Sequence, residues 1–397
     1  LRFIGIDIGS QKHAVAAVDE RGEVVLAPLE FTEDVEGYEK LLGAIGPPEE
    51  ALVAMEGTGH YWRNLFAHLA AAGFQVALLN PFATRRFAES DLERTKTDAI
   101  DAVSIARFAQ QKRPRTSSLP DDAGDDLREL VRLRDRAVQD LGDKVRQLHR
   151  ALDLCFPEFT RHVRTLQSHT ATAILREYPT AASLRGIHVR RLAKIRYDER
   201  HRVGEELAAV LLGAAAASVA AHHGEVYQLQ VRLLCDDIDV LRERVRDLDS
   251  RIEKRLDDHE IGKLLTSIEG VGTATAARLV AETGGDPARF RTAGELAAYV
   301  GVVPALRHSG TRTPLRAGIT HMGNARLRAK LWMTVLGAVR RNPWLRGHYE
   351  RLLARGKLRK VALVACMHKL LIAVHWVARH RRPFIAAPAA QSAEVLA

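Results

Sequence analysis

Apolar and polar positions alternate through the first thirty residues. RFIGIDIG, AVAAVD and, across a DERG turn, EVVLAPLEF keep a period of two, which predicts three strands of an antiparallel meander over residues 2 to 31. The pattern then predicts an amphipathic helix over Val35 to Ile45, a strand ALVAMEG and a helix over Tyr61 to Ala72. A strand FQVALLN and helices over Ala83 to Ser90 and Asp98 to Gln110 complete this part. From about Thr116 the period becomes that of long helices. Leu127, Val131, Val138, Leu141, Val145, Leu148 and Leu152 form one seam, with Arg134 as its polar member. Tyr227, Val231, Leu234, Ile238, Leu241, Val245, Leu248 and Ile252 form a second. Seams with 3,4 spacing and charged flanks predict a coiled coil, within the chain or between chains. Between them, Pro157, Pro179 and the region of Gly204 mark breaks without a readable period.

Three hairpin-linked strands followed by alternating helices and strands make an RNase H-like order. Within it, Asp7 lies in the middle of an apolar strand, where a carboxylate is costly unless it is paired or binds metal. Gly5 and Gly9 flank it and are expected to leave room for a ligand. Glu56 ends the strand ALVAM, and Asp98 and Asp101 are spaced so that both leave one face of a helix. Four such carboxylates can converge at a sheet edge, and hard oxygen donors suit one or two Mg²⁺ ions that act on a phosphodiester. Asp98 also follows Thr97 at a helix start, where the dipole alone favours an acid. GIDIGS matches the first phosphate loop of actin-like and sugar kinases as well; no second Gly-rich loop or adenosine loop follows, and that reading falls.

The C-terminal third carries different chemistry. LLTSIEGVGTATAARLVAETGG reads as a helix-hairpin-helix, in which Gly270 and Gly272 let the turn approach a sugar-phosphate backbone. After a short helix comes a loop, PALRHSGTRTPLR, with Ser309, Gly310, Arg307, Arg312 and Arg316, and then a helix capped by Asn324 that bears Arg326 and Arg328. Arg340 and Arg341 close that helix, and Arg359 and Lys360 open the last one, which is amphipathic and basic at both ends. The tail from Pro383 is expected to be flexible.

Charge follows this division. The net charge of +10 favours a polyanionic partner. Residues 1 to 110 hold 17 acids against 10 bases, whereas residues 305 to 382 hold 18 Lys and Arg against the single Glu350. With 46% hydrophobic and 27% charged residues, a globular chain of more than one domain is expected. The three cysteines, Cys155, Cys235 and Cys366, lack zinc spacing and read as buried thiols of a cytoplasmic protein. The longest apolar run, Leu207 to Ala221, is too short to span a bilayer.

Asp7, Glu56, the pair in TKTDAIDA, a coiled-coil middle, EGVG, PALRHSG and HMGNARLR, in this order, resemble the DEDD transposases of the one-hundred-and-ten family of bacterial insertion sequences, relatives of the Piv DNA invertase. The resemblance implies a RuvC-like (RNase H-like) domain over residues 1–115, a helical coiled-coil region over 116–260 and a transposase domain over 261–382, followed by a tail over 383–397. It implies that Asp7, Glu56, Asp98 and Asp101 bind Mg²⁺ and that Ser309, five residues after Pro304, is a nucleophile. Implied partners are double-stranded donor and target DNA, a structured non-coding guide RNA and further copies of the chain in a dimer or tetramer. The expected setting is the bacterial cytoplasm, at the nucleoid.

The residues agree with this expectation. A serine hydroxyl needs a base, a metal or a lowered pKa to attack. The serine loop offers only His308 as a base of its own, while the first domain offers a metal site. Two rivals stay open: a metal-dependent nuclease or junction resolvase in which water attacks and Ser309 only binds phosphate, and a non-catalytic nucleic-acid scaffold.

Overall fold

The computed structural model describes residues 1–57, 59–90, 97–117, 122–304, 318–319 and 322–385. These residues fold as two compact units, Leu1–Leu119 and Pro120–Ala397.

In the first unit, β1 (Arg2–Ile8), β2 (Lys12–Val18) and β3 (Val24–Thr32) form the expected meander. Then come α1 (Val35–Ile45), β4 (Ala51–Glu56), α2 (Trp62–Ala71), β5 (Gln75–Leu79), α3 (Pro81–Ser90) and α4 (Asp98–Lys112). The sheet order is β3-β2-β1-β4-β5, with β1 antiparallel to β2 and parallel to β4, and β4 parallel to β5. Both faces of the central strands are covered, so their sequences are apolar at nearly every position. Ile4, Ile6, Val53 and Met55 pack on one face with Leu41 of α1 and Leu65 and Phe66 of α2. Phe3, Leu52 and Ala54 face Ile105, Ala106 and Ala109 of α4 on the other.

Apart from loops and two isolated bridges, the described residues of the second unit are helical. It contains α5 (Asp122–Cys155), α6 (Phe159–His162), α7 (His169–Glu177), α8 (Ala181–Leu184), α9 (Val189–Ala193), α10 (Glu205–Ala216) and α11 (Glu225–Asp257). Further on lie α12 (Glu260–Leu265), α13 (Thr273–Glu282), α14 (Ala293–Val300), α15 (Ala325–Arg341), α16 (Pro343–Ala354) and α17 (Arg359–His380).

Helices α5 and α11 lie against each other and run antiparallel, as three ion pairs show. Asp126 meets Arg255, Arg134 meets Asp249 and Lys144 meets Asp237, so that each step forward on one helix is a step back on the other. The second seam is therefore used inside the chain, with Val231, Leu234, Ile238, Leu241, Leu248 and Ile252 buried. The first seam departs from its expected register at one point, where Ala137 is buried and Val138 is 38% exposed. The unreadable stretch between the seams is five short helices, α6 to α10, which bury Phe156, Phe159, Ile174, Leu175 and Leu211 against one end of the long pair. A separate core at the other end joins α12 to α17.

The three cysteines are buried, as the sequence predicts. Burial pushes Cys155 up to about 11, Cys235 to about 12 and Cys366 to about 11, which leaves them protonated and inert. Among the described residues, α17 is one helix long and apolar enough to cross a membrane. Its sequence was expected to be amphipathic. Instead Leu363, Met367, Leu370, Leu371 and Val374 enter the core on one side, and Val361, Val364 and Ile372 line a cavity on another. A helix apolar on more than one face is what such double packing requires.

Candidate carboxylate site and nucleic-acid interface

Asp7 is the last residue but one of β1, and Glu56 closes β4. These strands are parallel, with Gly5 opposite Ala54 and Ile6 opposite Met55, so Asp7 and Glu56 end neighbouring strands in register. Residues in register share a face, and here it is the face covered by α4, because Phe3, Leu52 and Ala54 lie on it.

The course of α4 across that face follows from its contacts. At Gly5 an added Cβ would stand 2.2 Å from the Ala102 carbonyl oxygen and 2.3 Å from the Ala106 nitrogen. Ala102 also packs with Ala14 and Ala16 of β2. At the far end, Gln110 donates to the Glu20 carbonyl at 2.9 Å and the Arg113 guanidinium lies 5.5 Å from the Phe3 ring centre. The helix therefore runs opposite to β1 and directs its first turn, with Asp98 and Asp101, toward the Asp7 end of the sheet. Thr97 caps that turn by accepting from the Ile100 N–H at 3.3 Å.

The two glycines beside Asp7 have a different use from the one expected. Gly5 makes room for the backbone of α4, and Gly9 for the tight turn into β2, where an added Cβ would stand 2.2 Å from the Lys12 carbonyl oxygen. Neither leaves a gap for a ligand. What the sequence did not reveal is Thr84 of α3, which is buried and donates to the Glu56 carboxylate at 2.5 Å. No spacing rule links residues 56 and 84, so this partner had no sequence signal.

Topology thus gathers all four carboxylates at one end and on one face of the sheet. Asp7, Glu56 and Asp101 are half-buried and Asp98 is exposed. Among the described residues, no three His, Cys, Asp or Glu side chains are drawn together closely enough to hold one ion. The donor chemistry fits a hard divalent cation, since every member is a carboxylate.

In the second unit, Arg307, Ser309, Gly310, Arg312 and Arg316 lie outside the described residues, as does His308. The two ends of their loop are described and are tied together. Pro304 bridges to Ile319 in antiparallel fashion. Gly301 and Gly323, both with positive φ, meet so closely that a Cβ on Gly323 would stand 2.7 Å from the Gly301 nitrogen. The Asn324 N–H donates to the Tyr299 carbonyl at 2.7 Å, and its side-chain amide donates to Glu282 at 2.7 Å. As expected, Asn324 also caps α15 by accepting from the Leu327 N–H at 3.0 Å. Arg328 donates to the Val300 and Met322 carbonyls at 2.9 and 3.3 Å, so its guanidinium holds the loop base.

The other basic positions are placed differently. Arg326, Arg340, Arg341, Arg359 and Lys360 are exposed. At the α12–α13 turn, Gly270 has a φ of 98° and abuts Ala338 of α15, where an added Cβ would stand 2.6 Å from the Ala338 Cβ. Gly272 precedes α13 and has open space on its Cβ side among the described residues. Asn342 ties the turn to α15 by donating to the Glu269 carbonyl at 2.7 Å. One glycine of the pair is therefore explained by packing within the unit, and the other leaves a helix start accessible.

Comparison with known proteins bears on both units. Residues 4–157 match a family described as Transposase, of the DEDD type from IS110 elements, and residues 262–350 match the Transposase IS116/IS110/IS902 family. The chain belongs to the IS110 family of transposases. Its relatives include the insertion element IS116 protein of Streptomyces clavuligerus, 28% identical over 97% of this chain and 96% of that protein. The pilin gene-inverting protein of Moraxella bovis is 25% identical over 83% of this chain and 80% of its own length. A transposase for insertion sequence element IS1111A from Coxiella burnetii is 24% identical over 83% of this chain and 76% of its own. As an IS110-family chain it is an enzyme of DNA transposition or inversion.

Proposed function

We propose that this enzyme cuts and rejoins DNA through a phosphoserine formed at Ser309, with a Mg²⁺ site made by Asp7, Glu56, Asp98 and Asp101. The observation that carries the proposal is the placement of the four carboxylates at one end of β1, β4 and α4. Under this reading the first unit is RuvC-like, in keeping with its strand order, and residues 116–260 form a coiled-coil region whose two long helices pair within the chain. Residues 261–382 form the transposase domain, whose helix-hairpin-helix presents the α13 N-terminus to a DNA backbone.

The four carboxylates would hold the cation, and what the cation supplies when bound is neutralisation of charge on the phosphoryl oxygens. The chain does the rest. The Ser309 oxygen attacks phosphorus and loses its proton; a bond from Oγ to phosphorus forms as the bond to the departing sugar oxygen breaks, and that oxygen leaves as a hydroxyl. Arg307 and Arg312 offset charge on the non-bridging oxygens. The phosphodiester energy is retained in the serine ester, so the reverse attack by a sugar hydroxyl rejoins DNA without a further energy source. The DNA is chosen by a structured guide RNA, as the family resemblance implies.

One experiment addresses the metal and the RNA together. Protein expressed with its native flanking DNA, and purified with any RNA it retains, is mixed with a nicked substrate carrying the element's end. A covalent protein–DNA adduct that survives denaturation is expected with Mg²⁺, and not with EDTA or after RNase. An adduct that forms equally in EDTA would overturn the metal assignment, and one that is indifferent to RNase would overturn the RNA.

The exposed cations give a separate expected result. Neutralising Arg340, Arg341, Arg359 and Lys360 together should weaken DNA binding and flatten its salt dependence, by about one in slope for each residue that touches phosphate. A slope equal to that of the unmodified protein would place these side chains in solvent. Arg328 is left out of the set because its guanidinium is engaged at the loop base.

A further inference from the structure

A cavity of about 720 Å³ lies among α16, α17 and the base of the Ser309 loop. Its walls include Val302 and, from α17, Val364, Ala365 and Ile372, while Pro304 and Ile319, the bridged ends of the loop, close one side. Arg351, Lys360, Lys369 and two histidines, His348 and His368, supply its polar groups, and no acid lines it among the described residues. An apolar slot of this size ringed by cations suits a planar ligand that carries a phosphate.

Three details sharpen the fit. Helix α17 begins at Arg359 without a side-chain cap and places Arg359 and Lys360 in its first turn, where cations oppose the helix dipole. An anion there would satisfy the open N–H groups and offset both charges. Trp344 is held in place by Lys369, whose Nζ lies 4.5 Å from the ring centre, and by the edge of Phe384 at 5.1 Å. His348 is pushed down to about 4 by burial and by the nearby Lys369, Arg351 and Arg355. It is therefore neutral at physiological pH, and a neutral imidazole brings a hydrogen-bond acceptor as well as a donor into a wall otherwise made of donors.

We infer that this cavity takes up one unstacked nucleotide of the bound DNA, its base against Val364, Ala365 and Ile372 and its phosphate at Arg351 and Lys360. The inference rests on the reading of the chain as a DNA recombinase. It adds to that reading a reason for the cavity to adjoin the serine loop, because withdrawing a base next to the cut opens the backbone for strand exchange. The penalty of unstacking is lowest where the duplex is already irregular.

The test uses short DNA duplexes with one 2-aminopurine, either bulged or paired, whose emission reports stacking. The bulged duplex should bind about tenfold more tightly than the paired one, with a change in emission on binding. Ala365→Phe, which fills the slot, and Val361→Asp, which places an acid at a position 50% exposed, should each bring the ratio of the two affinities to one. Matching melting temperatures exclude loss of fold, and Val361→Asp decides the matter if Ala365→Phe does not fold. Equal affinities in the unmodified protein, a ratio unchanged in both variants, or a preference seen only with a bulged RNA of the same sequence would overturn the inference. The adduct assay is read on covalent attachment and on its need for metal and RNA, none of which depends on the cavity, so failure here leaves that result standing.

Discussion

Ser309→Ala should abolish the covalent adduct on a nicked substrate, with strand transfer falling by about a thousandfold or more, the scale seen when a nucleophile is removed from a catalytic set. DNA and RNA binding should stay within about twofold, since the substitution removes one hydroxyl and no charge, and affinity for nucleic acid is carried chiefly by cationic contacts to phosphate. The physical basis is the loop's construction. Its ends are fixed by Asn324 on Tyr299 and Glu282, by Arg328 on Val300 and Met322, and by the contact between Gly301 and Gly323. None of these involves the serine, so its removal takes away a hydroxyl and leaves the anchoring intact. Substrate cut by the Ser309→Ala protein at the original rate, with no adduct, would show that water is the nucleophile and return the serine to a phosphate contact.

How much of this was legible in the sequence depends on the range of the interaction concerned. Local patterns carried the strands, the long helices and the Asn324 cap, because each is set by neighbours two to four residues away. The four carboxylates were legible as candidates because Asp7 breaks an apolar strand and Asp98 and Asp101 share a helix face. Their common placement depends on the parallel pairing of β1 with β4 and on the backbone of α4 resting on Gly5, which are long-range facts. Gly5 and Gly9 were misjudged for the same reason: a missing side chain signals a close approach without saying by what. Helices α6 to α10 went unread because helices as short as four residues, Phe159–His162 among them, complete little more than one period. The cavity beside the serine loop had no signal at all, since Trp344 and His348 of α16 meet Val364 and His368 of α17 only after both helices pack.

Asp7→Asn should reduce strand cleavage about a hundredfold or more, beyond what loss of an outer-shell partner costs a metal site, and raise the concentration of Mg²⁺ needed for half-maximal cutting. The substitution preserves shape and removes charge at a half-buried strand end. Melting temperature should therefore change little, and a purely structural role for Asp7 would not move the metal titration. Gly5→Ala offers a contrast from the same strand. Its Cβ would meet the Ala102 and Ala106 backbone of α4 at 2.2 and 2.3 Å, where no flexible side chain can give way. The helix that carries Asp98 and Asp101 must shift, and with overpacking costs of about 1–3 kcal/mol the melting temperature should fall along with cleavage. If Asp7→Asn leaves both cutting and the Mg²⁺ requirement unchanged while Gly5→Ala impairs both, the end of β1 supports α4 and the carboxylate assignment fails. If Asp7→Asn alone shifts the metal requirement at constant stability, the acid at the end of β1 is there for the cation.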